Sequence, residues 1–544
     1  MVRIKSMKTG MLGRFSVVSK PNGLWLLCLT MAFGPSRPIF AAAQTPARSS
    51  SYNVRAFGAA GDGKKLDTQA INDAIDTCVK AGGGTVYLPA GTYLSGSIHL
   101  KSFVHLYLDT GATLLGAPQA LNAYDPIEPW EGKAYQDGGH TYFHNSLIWG
   151  EDLQNVSITG QGMISGGGLV RSDGLLDRLS GFSSRTNSAS AKEGESGDKA
   201  APRLGNKAIA LKRCRHVLLR DVTIFHGGHF AILATGCDDM TIDNVTMDTD
   251  RDGVDIDCCR NVVVSNCRIN SPQDDGLCPK STFALGKNVI TENLTIVNCQ
   301  VSGFEEGTLL DGTMKPSKSK TGRIKFGTES NGGFRNVTVQ NCTFRNCRGL
   351  ALEEVDGGIM ENITINNLAM MDVAQYPIYI TLGRRNRGPD VVQPGKARNI
   401  LISNVIATGV EPMSGIQITG LPGAAVEGVR LENIRILFNG GGTKEAAARV
   451  PPELDKGYPE PSKIGVMPAY GLYARHVRDL ELANIRFSFD KEDLRPAMMC
   501  VDVDGLEIDN FKAQTAAGVP AAQYEEVKGL VVRNSPVLDG IAAR

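Results

Sequence analysis

From about residue 210 the chain alternates apolar and polar positions in short runs. Each run closes on an Asn or Asp and is followed by a second short apolar run. Val217-Leu-Leu-Arg-Asp221-Val-Thr-Ile, Met240-Thr-Ile-Asp-Asn244-Val-Thr-Met, Val262-Val-Val-Ser-Asn266-Cys-Arg-Ile and Val337-Thr-Val-Gln-Asn341-Cys-Thr-Phe are copies of this module. Later copies put the polar turn residue at Asn367, Asn404, Asn433, Asn484, Asn510 and Asn534, and the shortest spacings are 22 to 26 residues. Alternation of period two predicts strands. A polar turn every two dozen residues predicts the coils of a β-solenoid rather than propeller blades, which need four strands in about 40–45 residues. A leucine-rich repeat is the main competitor, but its Leu-x-x-Leu-x-Leu pattern is absent and β-branched residues dominate. One coil cannot bury its apolar face alone, so stacking supplies the core and Asn ladders satisfy the turns. Ala70 to Lys80 is the one clear amphipathic helix, placed to cap the open end.

Three stretches break the period, at 166–206, 303–323 and 440–467, and are poor in apolar residues. Such insertions are expected as loops on one side of a solenoid, walling a groove. A length of 544 residues exceeds a usual single core, a size that a repeat explains without several domains. Formal charge is zero, with 57 basic and 57 acidic residues, and no basic face interleaved with aromatics appears. This argues against nucleic acid or an anionic membrane as partner. The 62 glycines suit many tight turns.

Basic residues Arg3 to Lys20, an apolar core Leu24 to Phe33 and the small residues Ala41-Ala42-Ala43 form the tripartite pattern of a secretory signal. Residues 1–43 are therefore expected to be removed, with 44–51 a linker and 52–540 the solenoid, a soluble and monomeric protein exported to the periplasm or outside. Without Cys28, eleven of the twelve cysteines remain, an odd number that does not suit a disulfide scaffold. Cys214, Cys237, Cys258, Cys267, Cys299 and Cys342 recur at similar repeat positions and are expected as a buried ladder of small side chains. No C-x-x-C pairs with a second, so no zinc site, and no cofactor, is expected.

Chemistry concentrates at Asp252-Gly-Val-Asp255 and, one coil later, Gln273-Asp274-Asp275-Gly276. Acids recurring at one coil's spacing stack beside each other, and their repulsion is costly unless it serves a general acid and base; a calcium site is the competing use. Adjacent residues of a regular strand face opposite ways, so Asp274 and Asp275 are expected at a bulge or strand end that Gly276 permits.

Tyr52-Asn-Val-Arg-Ala-Phe-Gly-Ala-Ala-Gly-Asp-Gly63, Gly82-Gly-Gly-Thr-Val-Tyr-Leu-Pro-Ala-Gly-Thr-Tyr93, Leu147-Ile-Trp-Gly150 and Asn155-Val-Ser-Ile-Thr-Gly-Gln-Gly162 carry a wider likeness. Together with the acidic motifs, they make the chain resemble glycoside hydrolase family 28, the polygalacturonases, over nearly all of its length after the leader. The resemblance implies an all-β fold, a right-handed parallel β-helix built as a single-stranded solenoid. It implies an inverting hydrolase of pectic polysaccharide, with Asp274 the general acid and Asp252 and Asp275 holding and activating water. Inverting carboxyl groups stand about 6.5–9.5 Å apart to admit that water. Two departures stand out: Thr321-Gly322-Arg323 lacks the family's histidine, and Ala351-Leu352-Glu353 replaces its Arg-Ile-Lys. Either Lys325, Arg323 or Arg348 takes over the grip on a uronate, or the subsite holds a neutral sugar.

The further candidate substrate contacts are His226, His229, Lys280, Glu329, Glu353 and Glu354. Asp255 reads as a turn acid capping its own backbone or as one that supports the trio from behind, and Arg384-Arg-Asn-Arg387 as a solvated loop or a contact to an acidic sugar. Because fold alone does not set the reaction, a lyase or epimerase, or a glycan-binding protein with a dead site, stays open beside hydrolysis.

Overall fold

The computed structural model describes residues 50–129, 138–171, 203–388 and 393–540. The expected leader, most of the expected linker and the greater part of the first insertion lie outside them. Strands stack as a right-handed parallel β-helix. All strand pairs in its two sheets, of 28 and 6 strands, are parallel.

One inward column shows how the period becomes a core. Val217, Met240, Val262, Leu294, Val337, Ile363 and Ile400 stand opposite one another on consecutive coils, all buried. Each such side chain contributes roughly 1.5–3 kcal/mol on leaving water. The turn residues between strand segments adopt left-handed backbone: Asp221, Asn244, Asn266, Asn341 and Asn367 have φ of 67°, 53°, 57°, 56° and 57°. Their amides link the coils, Asn298 donating to Asn266, Asn341 to Asn298 and Asn367 to Asn341 at 3.2, 3.2 and 3.0 Å. Asn tolerates this conformation where most residues do not.

All eleven cysteines after Cys28 are free and buried. The ladder differs from expectation at one rung: Cys259 continues Cys214 and Cys237, its sulfur accepting from Cys237 N at 3.3 Å. Cys258 sits in the turn with φ of 54°, its thiol donating to Thr282 O at 3.2 Å. The turn rotates Cys258 away from the stack.

Helix α1 (Thr68–Lys80) begins two residues earlier than expected and buries Ala70, Ile71, Ala74, Ile75 and Cys78 over the first coil. The six-stranded sheet runs β1 (Ile98–His99), β2 (Ser146–Glu151), β3 (Lys207–Lys212), β4 (Phe230–Thr235), β5 (Asp252–Asp257) and β6 (Leu277–Lys280). A bridge from Leu277 to Ile324 carries the same wall on to β7 (Lys325–Phe326), β8 (Arg348–Glu354) and β9 (Ala374–Leu382). No helix among the described residues is long and apolar enough to cross a membrane.

Candidate active site

Along β5, Val254 and Ile256 enter the core, so alternation turns Asp255 and Asp257 to the outer face. The outward column Trp149, Ala210, Leu233, Asp255, Cys278 passes from apolar to charged at that coil. Its apolar half is covered by Phe143 and Phe230. Asp274 and Asp275 lie in a bend before β6 rather than in a strand. Both neighbouring coils grip that bend: Gly253 N donates to Asp275 O at 3.0 Å, and Gly276 N donates to Arg323 O at 2.9 Å. A Cβ on Gly253 would lie 2.3 Å from Gly276 O, which explains glycine between Asp252 and Val254.

The three acids occupy unlike surroundings. Asp275 is buried, accepting from Arg323 Nε at 2.6 Å with Lys325 Nζ at 3.3 Å. Burial opposes its charge, but Arg323, Lys325 and Lys280 hold the carboxyl well below the usual range. Asp252 is also buried, and its Oδ1 accepts no hydrogen bond among the described residues. Burial and the nearby Asp274 and Asp255 push its carboxyl well up, against Lys280 and Arg251. Asp274 is the accessible member, its side chain 30% exposed and held by Arg251 Nη2 at 2.7 Å. One oxygen each of Asp252 and Asp275 and the Cys278 sulfur lie within 4.8 Å of one another. A metal does not fit that triangle well, since Arg323 and Lys325 already neutralise Asp275.

Lys280, Glu329, Lys325, Glu353 and Arg348 gather beside the acids. Lys280 Nζ is 3.0 Å from Glu329 and 3.8 Å from Asp255. Glu329 also meets Arg385 at 3.2 Å. Lys325 Nζ is 3.6 Å from Glu353, whose carboxyl burial pushes up to about 7 against the pull of Lys325 and Arg323. Arg348 donates to Glu460 at 2.8 Å, and so does Arg323 at 2.7 Å. His229 lies beside this cluster, next to Phe230, which stands opposite Asp252, with its Nδ1 3.2 Å from Arg171 O.

Other expectations are corrected. Asp255 is no turn acid: it is fully buried in mid-strand, 3.8 Å from both His140 and Lys280, with neither oxygen hydrogen-bonded among the described residues. Glu354 turns away from the acids and accepts from Gly358 N at 2.9 Å, fully buried, so it braces a turn. His226 stands at a corner with φ of 53°, 3.1 Å from Glu306 of the second insertion, which Arg171 links to Asp250. Arg385 is buried against Asp356, with Nε donating at 3.0 Å, instead of solvated. Arg323, Lys325 and Arg348 are each committed to protein carboxylates. Sequence reasoning missed Tyr458 and Glu460, which the third insertion brings in; Tyr458 OH accepts from Lys325 at 3.2 Å and from Thr328 at 3.3 Å.

Residues 51–278 match the family model described as rhamnogalacturonase A/epimerase, pectate lyase-like, and residues 207–387 that of the right handed beta helix region. The chain is a right-handed parallel β-helix similar to the pectate lyase-like and polygalacturonase proteins. This β-helix is 28% identical over 247 residues to an exo-poly-alpha-D-galacturonosidase of Dickeya chrysanthemi, covering 41% of this chain and 40% of that one. It is 37% identical over 125 residues to a probable polygalacturonase of Vitis vinifera, 22% of this chain and 25% of the other. An alginate lyase 7 of Azotobacter vinelandii is 43% identical over 82 residues, 15% of this chain and 10% of the lyase. The matches thus span 40% or less of these curated relatives. Among solved structures, the exopolygalacturonase of Thermotoga maritima has a TM-score of 0.53 at 24% identity, covering 73% of this chain and 88% of that one. The family 28 exopolygalacturonase of Yersinia enterocolitica has a TM-score of 0.57 at 19% identity, covering 89% and 78%. At such identities the likeness speaks for the fold.

Proposed function

We propose that this β-helix is a secreted, inverting glycoside hydrolase acting on pectic polysaccharide or its oligosaccharides. The observation that carries this reading is the pair of carboxylates on adjoining coils, one oxygen of each within 4.8 Å, in unlike surroundings: Arg323, Lys325 and Lys280 pull Asp275 down, while burial, Asp274 and Asp255 push Asp252 up. Asp275 accepts the proton of a water lodged between it and Asp252. Asp274, exposed enough to touch substrate and solvent, takes up a proton from water as its partner Arg251 turns to the sugar, and delivers that proton to the leaving oxygen. Water attacks the anomeric carbon from the opposite face, so the C–O bond breaks as the new one forms and the configuration inverts. The named polygalacturonase relatives support the substrate class.

The test is incubation with homogalacturonan and rhamnogalacturonan fragments, following new reducing ends and the anomer of the first product by proton NMR. Inversion is expected, and Asp274→Asn should lower kcat by about 10²–10⁴. Retention of configuration would remove the roles given to the trio. A second reading, a lyase or epimerase, draws on the segments shared with Azotobacter enzymes, including 80 residues at 41% identity to a mannuronan C5-epimerase. A lyase would give unsaturated products absorbing in the ultraviolet and no new anomer from water. An epimerase would invert C5 without cutting the chain.

A further inference from the structure

The outward side chains of the last coils follow two opposite rules. On one face Glu361, Arg398, Glu427, Arg478, Asp504 and Lys528 stand opposite one another on consecutive coils, so the sign alternates at every step. Arg398 meets Glu361, and Arg478 meets Glu427, each at 2.6 Å. Across the turns at Asn433, Asn484 and Asn510, the same coils set Arg435, Arg486 and Lys512 opposite one another, three cations in file. All three are exposed, and none has a carboxylate partner among the described residues. The acids just across the turns are already bonded, Glu432 by Arg430 at 3.1 Å and Asp509 by Asn534 at 2.8 Å. Asp490 lies four residues past Arg486, about 13 Å along the strand. Like charges directly opposite on neighbouring strands cost stability, and the alternating face shows that these coils can avoid that cost. An anion laid along the file would remove it.

We propose that Arg435, Arg486 and Lys512 form a docking strip for an acidic polysaccharide, a chain of uronates, separate from the carboxylate trio. Parallel strands set the three cations about 4.8 Å apart. One sugar of an extended glycan advances by a similar step, so successive carboxylates meet successive cations. Each guanidinium can take a planar carboxylate through two parallel N–H bonds. Ile406, 58% exposed, continues the file beyond Arg435 and offers an apolar rung to the C–H face of the next sugar. None of these residues is aromatic, so the strip has no platform on which nucleic-acid bases would stack. The same register, read back through Ile406, Ala369, Thr343 and Gln300, reaches Arg268 between the two acidic motifs. Arg435 is thus five coils from the trio, roughly 24 Å along the solenoid. A polymer held there stays at the protein surface whether or not the trio is cutting it, which raises the local concentration of its other segments.

The probes are polygalacturonate and the same polymer fully methyl-esterified, bound at low salt to the full chain carrying Asp274→Asn. Adding Arg435→Gln, Arg486→Gln and Lys512→Gln together should weaken binding of polygalacturonate roughly tenfold, the sum of three exposed contacts, and flatten its salt dependence. Binding of the esterified polymer should not change. Arg398→Gln, Arg478→Gln and Lys528→Gln together alter net charge equally and should cost no more than about twofold. Arg486→Gln alone removes the middle of three like charges, so it should melt no lower than its parent while losing about twofold in affinity; it serves if the triple variant does not fold. With Asp274 restored, the strip variant should release reducing ends from trigalacturonate at the wild-type rate. Unchanged binding of polygalacturonate by the strip variants, or an equal loss in the alternating-face variant, overturns the strip. Single-stranded DNA bound as tightly as polygalacturonate, and lost with the same three cations, overturns the choice of a uronate chain. Strip-dependent binding of polygalacturonate without cleavage of any pectic fragment supports the strip and sinks the hydrolase.

Discussion

Asp274 and Asp275 are neighbours in the chain that do different physical work. Asp275 is the counter-ion of two buried cations, so Asp275→Asn leaves Arg323 and Lys325 short of a partner and should cost about 3–5 kcal/mol. Asp274 meets Arg251 at a half-exposed position, and Asp274→Asn should change stability by no more than about 1 kcal/mol. Urea melts of both variants separate the two, and equal losses would contradict the assignment. Glu353 makes a pH-dependent case. Its folded-state carboxyl is raised from 4.5 to about 7, so the protonated form favours folding. That contribution is complete below the unfolded value near 4.5 and is lost as pH rises through 7, by up to about 3 kcal/mol. Melting temperatures of Glu353→Gln should therefore gain on the wild type between pH 4.5 and 7, and a constant difference would refute this. The acids themselves were legible from their spacing, but the place of Asp255 in mid-strand, outward between the core residues Val254 and Ile256, was not. The further partners of the cations beside them were not, because Glu460 is 137 residues from Arg323 and Tyr458 is 133 from Lys325, in a loop without period.

At the level of the coil, the repeat was readable because each strand segment must present its apolar side inward and each turn needs a residue that accepts left-handed backbone. Period and turn chemistry agree from Asp221 to Asn534, and the whole stack follows from that agreement. Legibility ended at single-residue offsets, as at Cys258 and Cys259, where both are small and apolar and only the turn decides which one faces the core. Asn341 tests the turn argument. Its φ is 56°, and its side chain donates to Asn298 and accepts from Asn367. Asn341→Ala places a Cβ residue in the left-handed region and removes both ladder bonds, and should cost about 1–3 kcal/mol. Asn341→Gly loses the same bonds but not the backbone conformation, and should cost roughly half as much. Chemical melts showing equal losses in the two variants would mean that the ladder bonds, and not the backbone, set the turn.

Over the whole molecule, a solenoid has two ends but only one continuous core, and an uncovered end exposes both apolar side chains and unpaired strand backbone. Helix α1 closes the first coil by laying Ile71, Ala74 and Ile75 over it, in contact with Ser51–Asn53, Gly84–Leu88 and Ile98–His99. Its solvent face carries Gln69, bonded to Asp73 at 2.9 Å, which contributes nothing to that seal. Because each coil touches only its neighbours, damage at the cap should act locally before it reaches Asp252 on β5, four strands beyond β1 in the six-stranded wall. Ile71→Asp puts an unpaired carboxylate where Ile71 is fully buried, and should destabilise by about 3 kcal/mol or more. The freed edge should then pair with other molecules, seen as a shift to larger species on size exclusion relative to the wild type. Gln69→Ala should elute and melt as the wild type does. An Ile71→Asp protein that also does so would show that the first coil is held by its strands alone, and that the helix merely lies on it.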